Sequence, residues 1–86
     1  MDVYYEVLYV IAHTPQPEGW YGIAQRLGMK GVVLNMNLVS VLRDLVERGY
    51  LSYEDAPGSH GLYYLTDAGK EYLQNRHHTK PPGGAL

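Results

Sequence analysis

Eighty-six residues with a formal net charge of −2 and no cysteine make one domain and exclude disulfide bridges and thiolate metal sites. No apolar run approaches the ~20 residues of a membrane span, and Met1-Asp2-Val3 lacks the basic start of a signal peptide, so a cytoplasmic protein with no membrane partner is expected. A chain of this size buries only roughly 60–65% of its unfolded surface, and its nine tyrosines, with no Phe, carry apolar bodies and polar tips suited to half-buried positions and self-association.

The first helix is expected over Asp2–His13. Val3, Val7, Val10 and Ile11 fall on one helical stripe, widened by Leu8 and Ala12, and Tyr4, Tyr5 and Tyr9 lie beside or opposite it. Thr14-Pro15-Gln16-Pro17-Glu18-Gly19 breaks it. Trp20–Leu27 reads as a short second helix with Ile23, Ala24 and Leu27 inward and Gly28 ending it. Gly22 near its start either weakens it or allows close backbone approach. Trp20 is expected to pack this helix onto the first, the alternative being a small-molecule pocket lined by Trp20 and tyrosines. After Met29-Lys30-Gly31, a third helix is expected from Val32 or Val33 to Arg48. Its core stripe is made by Leu34, Leu38, Val41, Leu42 and Leu45, with Val46 over the base of a hairpin that begins beyond Gly49.

Gly49 is placed to take the left-handed conformation that closes a helix. Tyr50, Leu51 and Tyr53 are strand formers, Ala56-Pro57-Gly58-Ser59 is a turn cluster, and Leu62-Tyr63-Tyr64-Leu65 is the returning strand. Thr66 then stands where an N-cap belongs, with Asp67 in the first turn of a last helix running to Arg76 or His78. Ala68, Tyr72 and Leu73 are its inward candidates. The domain is therefore residues 1–78. Residues 79–86, with two prolines and two glycines, form a flexible tail. The fold class is α+β, mainly α: three N-terminal helices, a two-stranded hairpin and a C-terminal helix.

Three segments carry a family resemblance. Ile23-Ala24-Gln25-Arg26-Leu27-Gly28-Met29 resembles the first helix and turn of a helix-turn-helix. Leu42-Arg43-Asp44-Leu45-Val46-Glu47-Arg48-Gly49-Tyr50-Leu51 resembles a recognition helix entering a wing. Tyr63-Tyr64-Leu65-Thr66-Asp67-Ala68-Gly69-Lys70-Glu71-Tyr72-Leu73 resembles the strand-to-helix passage of the MarR and PadR regulators, and Gly19-Trp20-Tyr21-Gly22-Ile23-Ala24 is more similar to PadR. The resemblance implies a winged helix-turn-helix transcriptional regulator, a repressor acting as a homodimer. Its third helix would enter the major groove of double-stranded DNA and its wing would touch the backbone. The interval from Gly28 to Gly49 is longer by about one helical turn than in the compact MarR-type unit, so the turn or the helix is extended. The wing tip from Glu54 to Gly61 has no Lys or Arg.

With the leucines inward, the opposite face of the third helix holds Val33, Met36, Asn37, Ser40, Arg43, Asp44 and Glu47, flanked by Asn35 and Val39. Asn pairs with adenine, Arg with guanine and Ser with either, so Asn35, Asn37, Ser40 and Arg43 are the base-contact candidates. Arg26, Lys30, Arg48 and His60 are the backbone-contact candidates. Tyr4, Tyr5, Tyr9 and Tyr72 are the dimer-interface candidates, on the first and last helices. The rival reading is a protein-interaction module that uses the apolar outer face of the third helix or the tyrosine-rich first helix. His77-His78 point about 100° apart on a helix and do not converge on a metal. No metal, no cofactor, no catalytic residue and no enzymatic activity are expected, since neither a P-loop nor a dinucleotide motif is present.

Overall fold

The computed structural model describes residues 2–33, 37–55 and 61–78, the side chains of 76–78 excepted. The chain runs α1 (Val3–Ala12), α2 (Trp20–Met29), α3 (Leu38–Glu47), β1 (Leu51–Glu54), β2 (Leu62–Leu65) and α4 (Asp67–His78). This is the expected element order, mainly helical with one two-stranded antiparallel sheet.

Local hydrogen bonds start α1 and α4 and close α3. Asp2 caps α1, accepting a hydrogen bond from the Tyr5 amide at 3.1 Å. Thr66 caps α4: its Oγ1 accepts from the Gly69 amide at 3.0 Å and donates to the Gly49 carbonyl at 2.6 Å. Gly49 has φ +86°, and the amides of Gly49 and Tyr50 bond back to the carbonyls of Val46 and Leu45. That pair of bonds closes the last turn of α3 in a Schellman motif.

Two helix boundaries differ from the sequence expectation. α2 passes through Gly28 to Met29 and closes at Gly31 (φ +81°), where the amides of Gly31 and Val32 return to the carbonyls of Gly28 and Leu27. α3 begins at Leu38 rather than at Val32 or Val33, because Asn37 is its N-cap: the side chain accepts from the Val39 amide at 2.8 Å. The added length between Gly28 and Gly49 therefore lies in the connection, not in the helix. Leu34, expected in the core stripe, is outside the described residues, as are the turn cluster at 56–59 and the tail at 79–86.

The core is built from Val7, Leu8, Val10 and Ile11 of α1, Ile23 and Leu27 of α2, Val41, Leu42 and Leu45 of α3, Leu51 of β1 and Tyr63 of β2. α1 is central, packing on α2, α4 and β2. Ala12, expected to widen the α1 stripe, is exposed, and so is Ala68 of α4. Among the described side chains of α4 the buried position is Gly69, where a Cβ would lie 2.3 Å from the Tyr50 carbonyl oxygen. Tyr72 and Leu73 are half-buried against the core, as expected from the sequence.

The hairpin register pairs Leu51 with Leu65 and Tyr53 with Tyr63. Side chains alternate across a sheet, so these four share one face. Leu51 and Tyr63 are buried, while Tyr53 lies further along the same face and is exposed. A contact beyond the expected topology ties the second strand of this hairpin to the loop before α2. Glu18, in the loop before α2, forms an antiparallel bridge with Tyr63, whose amide donates to the Glu18 carbonyl at 3.0 Å. Gly19 allows that approach, since a Cβ there would sit 2.9 Å from the Gly61 carbonyl.

Candidate nucleic-acid interface

The exposed face of α3 is the part of the molecule on which the expected chemistry converges. With Leu42 and Leu45 fully buried and Val41 nearly so, Val39, Ser40, Arg43 and Glu47 are turned outward. Val39 and Arg43 are one turn apart, so they stand on the same side. Val46 is half-buried at the edge of this face, against the hairpin, as expected.

Cations on the surface divide into two groups. Arg26 makes a two-pronged contact to Glu18, with Nε to Oε1 at 2.9 Å and Nη2 to Oε2 at 3.2 Å, and this hydrogen bonding raises the guanidinium pKa from its ordinary value. Gly22 makes room for it: a Cβ at that position would meet the Glu18 carboxylate at 2.6 Å. Lys30 bonds to Glu6 at 2.9 Å and lies over the Tyr9 ring, 4.0 Å from its centroid. Arg48 pairs with Asp44 at 3.2 Å and covers the Tyr4 ring. Lys70 is 4.0 Å from Asp67. Among the described residues, Arg43 is the Lys or Arg side chain with no acidic partner. Its charge reaches the neighbouring Tyr63 phenol, whose pKa is pushed up by burial and drawn partly back by Arg43.

Arg43 is the cation of a groove of about 480 Å³ lined by Trp20, Val39, Arg43, Val46, Tyr53 and Tyr63. Among the described residues no carboxylate lines it. The start of α2, the outer face of α3 and the hairpin each supply one wall. Trp20 is 38% exposed here, facing α3 and the hairpin. That corrects the expectation that it packs α2 onto α1. Tyr53 packs against Tyr63, with centroids 5.1 Å apart. Its hydroxyl end lies over Gly61, where a Cβ would overlap the ring. A hydrogen bond to Asp55 is the main reason the Tyr53 phenol sits above its ordinary pKa.

The expected base-contact residues separate on this background. Ser40 and Arg43 lie on the exposed face of α3. Asn37 does not stand on the helix face, because it is the residue that starts the helix. Asn35 lies outside the described residues, as does His60 of the backbone-contact set. Arg48 is at the C-terminal end of α3. Arg26 and Lys30 point elsewhere: with Tyr9, Val10, His13 and Met29 they line a second groove, of about 290 Å³, between α1 and α2. Of the tyrosines expected at a dimer surface, Tyr4 donates to the Asp44 carboxylate and Tyr72 donates to Asp2 at 2.7 Å and packs on Tyr50. Tyr5 and Tyr9 form a row along α1 that continues onto His13, which stacks on Tyr9 at 4.1 Å.

A pocket lined by Trp20 and tyrosines was the alternative offered by the sequence, and the groove does bring Trp20, Tyr53 and Tyr63 together; its placement beside Arg43 was not anticipated. For Tyr53 a signal existed: in a strand, alternation puts it on the face of Leu51. Trp20 offered none, because its direction depends on the non-local bridge between Glu18 and the hairpin.

No protein-family model matches the sequence, and no curated protein sequence is significantly similar to it. Among solved structures, the chain resembles F93 from STIV, described as a winged-helix DNA-binding protein, with a TM-score of 0.72 and 20% identity over 86% of this chain and 82% of that one. The likeness establishes a winged-helix fold, in which α2 and α3 form the helix-turn-helix and β1 and β2 the wing.

Proposed function

We infer that the protein is a sequence-specific, double-stranded DNA-binding regulator of transcription, acting as a homodimeric repressor that occupies its operator in the cytoplasm. The observation that carries this reading is Arg43, which among the described residues is the Lys or Arg without an acidic partner and stands at the middle of the exposed face of α3. A guanidinium there is suited to the O6/N7 edge of guanine, with Ser40 beside it and Val39 available to a thymine methyl. The neighbouring winged-helix structure, described as DNA-binding, supports the same assignment. Homodimer formation through α1 and α4 would present two copies of α3 and double the cations offered to phosphate, which matters for a chain of net charge −2.

The ion pairs of Arg26, Lys30 and Arg48 lie at the surface, where such pairs contribute little. Exchange of a carboxylate for a phosphate is therefore inexpensive. The test is a gel-shift titration at several salt concentrations with duplexes selected from a random pool. Affinity falls as salt rises, and Arg43→Ala flattens the sequence preference. Absence of binding to any duplex at low salt overturns the assignment.

A second reading has one observation in its favour. Trp20, Val39 and Tyr53 are large apolar groups exposed around Arg43, and apolar surface of this kind also serves protein recognition. On that reading α3 is a docking face for a protein partner, and the same titration separates the two.

A further inference from the structure

The groove beside α3 sets three aromatic rings next to Arg43, and a fully paired duplex keeps the base faces that such rings would stack on hidden. Among the described residues, three aromatic side chains, two valines and one guanidinium without an acidic partner line it, with no carboxylate. We propose that this groove receives one unpaired nucleotide, its base against the Tyr53 and Trp20 rings and its phosphate at Arg43. The proposal rests on the reading that α3 faces nucleic acid, and extends it from duplex sequence to an extrahelical or single-stranded base.

Three features carry it. First, an unpaired base exposes a π-face that a stacked base pair hides, and aromatic side chains accept any base in this way. Trp20 and Tyr53 are both partly exposed beside the groove. Second, both rings already rest against neighbouring groups in the folded chain. Tyr53 is held between Tyr63 and Gly61, and Trp20 is braced edge-on by Tyr21 with centroids 5.7 Å apart. Little freedom is then lost on binding. Third, the charge is complementary. Arg43 has no acid to satisfy, whereas the two cations of the α1–α2 groove are both engaged by glutamates. An apolar peptide would cover the rings but leave the guanidinium without an anion. A nucleotide supplies both.

Trp20 is the protein's single tryptophan, so its emission reports on this groove alone. Three probes are titrated into the full chain at low salt: a mixed-sequence paired duplex, the same duplex with one extra unpaired thymine, and oligothymidylate. The unpaired thymine quenches Trp20 emission and tightens binding by about tenfold over the paired duplex, the order that one stacked base contributes. Oligothymidylate also quenches. Tyr53→Leu makes the two duplexes bind alike, while Tyr53→Phe, which keeps the ring, keeps the difference, and far-UV circular dichroism confirms that both variants are folded. Equal affinity for the two duplexes with unchanged emission overturns the proposal and leaves the duplex-binding function standing. Failure of all three probes to bind overturns both. Quenching by a proline-rich peptide but by no oligonucleotide also overturns it, in favour of a protein partner.

Discussion

Gly22 and Gly69 show how the surroundings of a residue decide the effect of adding one methyl group. A Cβ at Gly69 meets the Tyr50 carbonyl at 2.3 Å, within the backbone that joins α3 to β1. Neither partner has freedom to move, so Gly69→Ala is expected to destabilise by about 2 kcal/mol or more. At Gly22 the obstacle is the end of a flexible side chain, the Glu18 carboxylate. Alanine there gains up to about 1 kcal/mol of helix propensity and loses an exposed ion pair. The expected change for Gly22→Ala is therefore small in either direction. Urea denaturation of the two variants side by side checks the contrast. Leu42, fully buried, sets the scale for core loss: Leu42→Ala is expected to cost about 2–5 kcal/mol, a large share of the stability of a domain this small.

Tyr63 gives the hairpin a pH signature. Burial pushes its phenol above the ordinary tyrosine value of 10.0, so folding favours the neutral form. For an acid shifted upward, that stabilisation is fully present below the unfolded pKa and is lost as pH rises through the folded one. The urea midpoint is therefore expected to hold steady on approaching pH 10.0 and to fall above it. Tyr63→Phe should make that alkaline limb shallower, leaving the part that Tyr53 and Tyr64, also raised by their hydrogen bonds to Asp55 and Glu54, contribute, which a series of midpoints against pH will show.

At the scale of elements, the junction from α3 through the wing to α4 is fixed by a few local bonds. Gly49 reverses the chain, Thr66 caps the next helix, and the Thr66 hydroxyl ties the two together through the Gly49 carbonyl. Thr66→Ala removes both the cap and the tie, with an expected loss of about 1–2 kcal/mol, read as a lower thermal midpoint. These features were legible in the sequence because their causes are local: Gly where φ is positive, Thr before Asp, a Leu-Tyr-Tyr-Leu strand. The start of α3 was not. Val32, Val33 and Leu34 continue the apolar spacing of the true helix, and periodicity alone reads through them. The counter-signal was Asn37, a strong N-cap residue whose side chain in fact starts the helix one residue later. Ser40 and Arg43 were legible as outward residues because Leu42 and Leu45 fix the helical phase. The aromatic walls around them depend on strand register and on the approach of Glu18, neither of which one segment encodes by itself.

At the scale of the whole molecule, self-association and charge have to be considered together. The row of Tyr5 and Tyr9 on α1 belongs to the face proposed to pair two copies. Light scattering over a dilution series is expected to give the mass of a dimer. Tyr5→Ala is expected to raise its dissociation constant by about tenfold, the effect of truncating one well-placed interface aromatic. A mass that stays monomeric at high concentration removes the dimer. If DNA is the partner, losing Arg43 from each protomer should also reduce the steepness of the salt dependence by about one counterion per protomer.

The bridge between Glu18 and Tyr63 keeps the hairpin from swinging as a free antenna. Glu18 clasps the hairpin through its main chain and α2 through its carboxylate on Arg26, so one residue couples the two as a brace couples a lever to its frame. A push on the hairpin is delivered to the start of α2, where Trp20 stands. The spacing between the hairpin and the start of α2 is therefore set by the folded chain itself, through one residue held at both ends.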